Sequence, residues 1–407
     1  MRSYNDKIGF NPGLRAVLSE IAANTALPPI LGTWYYVDPE NGSSAAGGKT
    51  PETAVDSLET AYGLCTSGDG DGIVLFSSGT STANTTSYLK QELDWTKHGI
   101  TVVGVAAPTR MFGRARVSNT QVTTGSLTTI SFTNDGTADY ITDSAAGFIT
   151  AGFEVGQTID VVANSGTNNG QYTISAVAAG KLTLSASDSL TTENAATAGA
   201  TTITSYNLNL LNISGNNNAF YNVHFGNFSS NANALGCVEI SGARNYFGNC
   251  HIIGAGHATP GAVATAYDVK LNGAEEITFD CCTFGTDSVL KAAANGEILI
   301  DGTSLRIQFN DCSFLSYSAT SGKGAVKSAD ATSHQGVIEF NACRFINWNE
   351  NGITAVDDVF IGTAPTSGAY LVTPDSMCVG FSGWGANVYV AGAAAAASAG
   401  GQIAVTE

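Results

Sequence analysis

Charge is scarce in this chain, at 13% of residues, and positive charge scarcer still: 17 Lys and Arg stand against 34 Asp and Glu, a formal net charge of −17. Such a surface repels phosphate backbones, which excludes nucleic acid as a partner. No apolar run approaches the ~20 residues a membrane-crossing helix requires, so no membrane insertion is expected. Met1-Arg2-Ser3-Tyr4-Asn5-Asp6 has no signal-peptide character, and export by the general secretory route is not expected. Gly-rich phosphate loops, Ser–His–Asp arrangements and nucleotide fingerprints are all missing. Cysteine spacings match no zinc pattern. No cofactor or metal is therefore expected, and no residue stands out as a catalytic, cofactor-binding or metal-binding group.

What is present is a repeat. Phe247-Gly-Asn-Cys250-His-Ile252, Phe279-Asp-Cys-Cys282-Thr-Phe284, Phe309-Asn-Asp-Cys312-Ser-Phe314 and Phe340-Asn-Ala-Cys343-Arg-Phe345 follow a weaker copy, Phe220-Tyr-Asn-Val223-His-Phe225. Successive starts are 27, 32, 30 and 31 residues apart. A period of 20–50 residues marks a solenoid, in which each repeat buries its apolar side against its neighbours. Alternating stretches lead into each copy, such as Val269-x-Leu271 and Ile307-x-Phe309, and period-two alternation indicates strands. Between the Phe and Cys positions the alternation breaks at two residues suited to a left-handed corner. Short strands joined by such corners form a parallel β-helix.

Stacking coils at about 4.8 Å puts equivalent residues in columns. Val223, Cys250, Cys282, Cys312 and Cys343 are expected to form an interior column. Asn222, Asn249, Cys281, Asp311 and Ala342 form a corner column, and His224, His251, Thr283, Ser313 and Arg344 an outward one. The eight cysteines read as reduced core residues, because column neighbours sit farther apart than the ~3.8 Å Cβ separation of a disulfide.

Five segments follow. Residues 1–33 form an N-terminal arm with one amphipathic helix, carried by Leu14, Val17, Leu18 and Ile21 within Pro12–Ala26, that either caps the solenoid or docks on another subunit. Residues 34–119 hold Trp34-Tyr-Tyr-Val-Asp38-Pro-Glu-Asn-Gly42, then Thr50-Pro-Glu-Thr-Ala54, Leu58-Glu-Thr-Ala61 and Gly68-Asp-Gly-Asp-Gly-Ile-Val-Leu75. This order resembles the opening segment of pectin-lyase-like right-handed β-helix proteins, which include both polysaccharide-active enzymes and virion spikes. The resemblance implies the fold, and not an activity. Residues 120–204 carry short alternating strands with Gly and Asn turns, an inserted small antiparallel β-barrel or sandwich. This module resembles small β modules in structural proteins of tailed bacteriophages. Residues 205–356 are the β-helix coils, and 357–407 an irregular C-terminal segment ending in an Ala/Gly-rich tail that orders best when packed in an assembly.

Glycan-cleaving β-helices use paired carboxylates. The best pair is Asp280 and Asp311 at adjacent corners, although both also fit a polar ladder with Asn249, Asn310 and Asn341. Glu275-Glu276 and Asp357-Asp358 read as solvated loop pairs. His224 and His251 stack without a third metal ligand, and Asp69-Gly-Asp71-Gly reads as a turn, not a calcium loop. The expected function is therefore structural: a β-helical spike or decoration protein on the capsid or tail of a tailed-phage virion, stabilising the particle or adhering to host surface glycan. The family resemblance implies a homotrimer, with other capsid or tail subunits as partners. The rival is a tailspike depolymerase; if the chain is an enzyme at all, it is a glycoside hydrolase or polysaccharide lyase.

Overall fold

In the computed structural model, which describes residues 30–77, 86–106, 114–348, 355–386 and 388–390, each repeat contributes one strand to each of three parallel sheets. The coil around residue 280 supplies Val269–Asn272 to sheet C, Thr278–Asp280 to sheet A and Thr283–Gly285 to sheet B. Among the described residues sheet A has ten strands, from Trp34–Val37 to Val388–Val390; sheet B has eight, from Thr86–Leu89 to Met377–Val379; sheet C has seven, from Leu93–Trp95 to Phe360–Gly362. The chain is a right-handed parallel β-helix. The arm helix expected within Pro12–Ala26 and the tail from Ala391 lie outside the described residues.

Register turns the sequence repeat into columns. Phe220, Phe247, Phe279, Phe309 and Phe340 pair strand to strand in sheet A, and their rings stack at 4.7–5.0 Å. That separation is the strand spacing itself, so one Phe per coil stacks without displacing the backbone. A second column, Phe284, Phe314 and Phe345, meets the first edge-on across the interior.

The expected interior column is present: Val223, Cys250, Cys282, Cys312 and Cys343 are all buried, and all eight cysteines are free. The structure adds a reason for the thiol. Cys250, Cys282, Cys312 and Cys343 each donate to the carbonyl of the Phe one coil earlier, at 3.3–3.4 Å. Ser376 takes the same place one coil later, its hydroxyl 3.3 Å from the Phe340 carbonyl. A small side chain that tolerates burial and can still donate fits this position.

The corner residues Asn222, Asn249, Cys281, Asp311 and Ala342 all have φ between +49° and +56°. A second left-handed corner, before sheet A, holds Asn217, Arg244, Glu276 and Arg306 at +56° to +58°. Arg and Glu gain nothing locally from this conformation, which costs an L-residue about 1–2 kcal/mol; the stacked coils impose it.

After Asp357 the Phe–Cys spacing disappears, and the sequence there reads as an irregular segment. The described residues there instead continue the coils, as Phe360–Gly362 in sheet C, Gly368–Val372 in sheet A and Met377–Val379 in sheet B. Their core places are filled by different residues, Phe360, Tyr370, Phe381 and Trp384, which share the interior with the Phe columns.

The opening segment forms as its motifs imply. Thr50 caps a short turn at Pro51–Thr53. Ser57 caps a helix, Leu58–Leu64, which sends Leu58, Ala61 and Tyr62 into the solenoid core. Asp71 accepts from the Thr33 and Thr66 amides at 2.6 and 2.8 Å, so the Asp-Gly pair there is a turn organiser. A separate compact unit comprises residues 90–92 and 119–208. It is a six-stranded antiparallel sheet with its own core, including Ile130, Phe132, Phe148, Ile159 and Leu182. On either side of it in sequence the solenoid is continuous, Leu93–Trp95 pairing directly with Leu211–Ile213.

Candidate functional site

Two outer faces of the solenoid carry chemistry. On sheet A, Asp280 registers with Asn310 and not with Asp311. Asp311 occupies the following, left-handed position, so the two carboxylates are offset by one residue around the corner. Asp280 accepts from the Tyr246 hydroxyl at 2.8 Å and from Asn310 Nδ2 at 2.6 Å; Asn341 in turn donates to Asn310 at 2.8 Å. Burial and this bond to Asp280 push the Tyr246 phenol up. The rings of Tyr221 and Tyr246 lie 5.2 Å apart beside the ladder. Asp280 is thus a ladder member held on both oxygens. A second ladder joins Asn249 to Asn222 at 2.9 Å.

Glu275 and Glu276 are not simply solvated. Arg306 pairs with both, and Arg244 with Glu276 at 2.6 Å. Sequence reading missed these partners because they come from neighbouring coils about 30 residues away.

On sheet B the outward column reads Arg116, His224, His251, Thr283, Ser313 and Arg344 in register. It leaves the core as expected, yet at its first coils it does not face open water. His224 is only 9% exposed, with the Phe228 ring stacked over it at 6.2 Å and an interplanar angle of 9°. Arg114, two residues before Arg116 on the same face, donates to the Asn249 carbonyl and side-chain oxygen at 2.6 and 2.9 Å. These groups line a cavity of about 540 Å³ that continues past His251 and Thr283 to Ser288 and Leu315, a size typical of small-molecule sites.

The protons of the histidine pair follow from its partners. His251 Nε2 lies 2.9 Å from the Gly285 carbonyl, which can only accept, so that nitrogen carries the hydrogen. His251 Nδ1 is then an acceptor, and His224 Nδ1, 3.2 Å away, donates to it. His224 Nε2 is left as a bare acceptor, buried and without a hydrogen-bond partner. Burial first, then His251 and the two arginines, hold His224 well below the ordinary imidazole range, and burial with the two arginines outweighs the bond to Gly285 and brings His251 to about 4. Both are neutral at pH ~7. Among the described residues no third His, Cys, Asp or Glu joins them as a metal group, and no helix is long and apolar enough to cross a membrane.

No family model matches the chain, and no curated protein matches it. Among solved structures it is similar to a pectin methylesterase mutant in complex with a hexasaccharide, at 12% identity and TM-score 0.42 over 89% of this chain and 91% of that one. It is also similar to the tailspike protein gp49 of Pseudomonas phage LKA1, at 13% identity and TM-score 0.24 over 75% of this chain and 61% of that one. A third is the GH136 lacto-N-biosidase of Eubacterium ramulus, at 12% identity and TM-score 0.34 over 85% of this chain and 57% of that one. These are likenesses of chain path at low identity, and no residue role passes from them to this chain.

Proposed function

We propose that this chain is a structural protein of a tailed-phage virion, a homotrimeric β-helical spike or decoration protein on capsid or tail that adheres to host surface glycan without cleaving it. The observation that carries the non-catalytic part is that Asp280, the better-placed member of the Asp280 and Asp311 pair, is not free, and neither are Glu275 and Glu276. Asp280 is tied by Tyr246 and Asn310, and Glu275 and Glu276 are tied by arginines. A glycosidase needs one carboxyl free to give a proton and another free to receive a water or sugar carbon, about 5–9 Å apart. The stiff stacked rod, the opening-segment resemblance and the phage-like inserted module support the virion setting.

The test incubates purified protein with host capsule and lipopolysaccharide, measuring retained polysaccharide and new reducing ends. Retention without reducing ends is the expected result. Turnover that disappears in Asp280→Asn or Asp311→Asn establishes the depolymerase instead, and no retention removes the adhesive role.

A further inference from the structure

We propose that the cavity on the outer side of sheet B binds a carboxylate-bearing sugar residue of a surface polysaccharide. This rests on the adhesive reading above and specifies where and what it grips.

Three features of the cavity each demand something different from a ligand. His224 Nε2 is buried, lacks a partner and can only accept, so the occupant must bring a hydrogen-bond donor. A sugar hydroxyl is such a donor; a bare carboxylate or an apolar molecule is not. Arg114 and Arg116 place two guanidiniums at one wall, in a chain with only 17 basic residues and a net charge of −17. Planar guanidinium suits carboxylate. Phe228 is 41% exposed although it stacks on His224, so its outer part is open to the apolar face of a pyranose. Gly226 keeps this arrangement open. A Cβ there falls 2.3 Å from the Phe228 ring and 3.1 Å from His224 Nε2. Hydroxyl donor, carboxylate and apolar ring face coincide in a uronic or sialic acid residue. A neutral hexose leaves the arginines unused, and an inorganic anion leaves Phe228 unused.

The test is an NMR titration of the full-length protein with glucuronate, galacturonate and N-acetylneuraminate, with glucose as the neutral control. At least one acid is expected to shift resonances of the cavity, at least about tenfold more tightly than glucose. Arg116→Gln is expected to weaken that acid about ten- to hundredfold and leave glucose unchanged. Arg116→Lys, which keeps the charge, is expected to retain part of the affinity. Phe228→Ala, a change at a half-open surface ring, is expected to weaken acid and glucose alike. If none of the three acids shifts the cavity resonances, or if Arg116→Gln binds the acid as wild type does, the inference is overturned. The two readings separate cleanly. Polysaccharide retention that persists in Arg116→Gln leaves adhesion standing and removes this site, whereas acid binding without retention does the reverse.

Discussion

At the corner between sheets B and C, four charged side chains are sealed from water. Lys323 and Glu297 have side chains 0% and 1% exposed, with Nζ 2.8 and 2.9 Å from the two carboxylate oxygens. Lys291 and Asp268 are 4% and 0% exposed, at 3.7 Å. Asp268 and Glu297 immediately precede stacked strands of sheet C, and the Asp268 amide donates to the Glu297 carbonyl. Two carboxylates are therefore forced together on consecutive coils, and the two lysines balance them. Lys323→Met removes one cation and leaves Glu297 with only the Ser316 hydroxyl, 2.8 Å away. Breaking a buried pair from one side costs about 3–5 kcal/mol. Adding Glu297→Gln neutralises the orphan while its amide oxygen still accepts from Ser316, so the double variant is expected within about 2 kcal/mol of wild type, a coupling of at least about 1–3 kcal/mol. Burial, then Glu297, raises the Asp268 carboxyl to about 6 against the opposing pull of Lys291. A raised carboxyl favours the folded state below the ordinary carboxylate range and loses that contribution as pH rises toward 6. The Lys323→Met deficit should accordingly shrink between about pH 7 and pH 5, as protons replace the missing cation. Urea unfolding followed by tryptophan fluorescence, with hydrogen exchange at Ile298–Asp301 and Val326–Ser328, measures both effects. A single variant within about 0.5 kcal/mol of wild type, or a double variant as unstable as the sum of its parts, refutes the reasoning.

The other predictions are simpler. Phe309→Ala opens both Phe columns and is expected to cost about 3–5 kcal/mol, with hydrogen-exchange protection lost chiefly in its own and the adjoining coils, since solenoid repeats are supported by nearest neighbours. Ala342→Gly relieves a left-handed residue at φ +52° and is expected to stabilise by about 1 kcal/mol in denaturant titration; destabilisation counts against strain there. A thiol reagent is expected to reach exposed Cys281 in the folded protein and the interior column only on unfolding, read by mass spectrometry of labelled peptides. His251 and His334 are each held at about 4 chiefly by burial. Their stabilisation is complete above the ordinary imidazole value and is lost as pH falls from about 6.5 toward 4. Tm is expected to drop over that window, and to drop less in His251→Gln.

The fold was legible because stacking repeats itself. A residue that must meet its own kind one coil away, such as Phe279 on Phe309, leaves the same letter in sequence at each turn. The left-handed corner at Asn222 and Asn249 was legible for the same reason. The second corner was not, because Asn217, Arg244, Glu276 and Arg306 share a backbone conformation and no side-chain chemistry. The coils after Asp357 were hidden too: Tyr370 and Trp384 fill a Phe-sized core without its spacing. Ser376 does the work of a thiol under a different name. Cross-coil ion pairs such as Arg306 with Glu275 left no local pattern, since each partner is ordinary in its own repeat.

The same logic locates function. In a ladder, like stacks on like because each residue satisfies the next, as Asn341 does Asn310 and Asn310 does Asp280. A column whose members differ is held by partners other than its own kind, as Arg306 is by Glu275 and Glu276. Sheet B's outer column changes from Arg116 through the two histidines to Thr283 and Ser313 within five coils. Burial and the two arginines keep His224 neutral, and leaving its buried Nε2 without a donor carries a desolvation cost. Under the proposal above, a ligand hydroxyl supplies that missing donor, which places the proposed adhesion on sheet B and not at the carboxylates of sheet A.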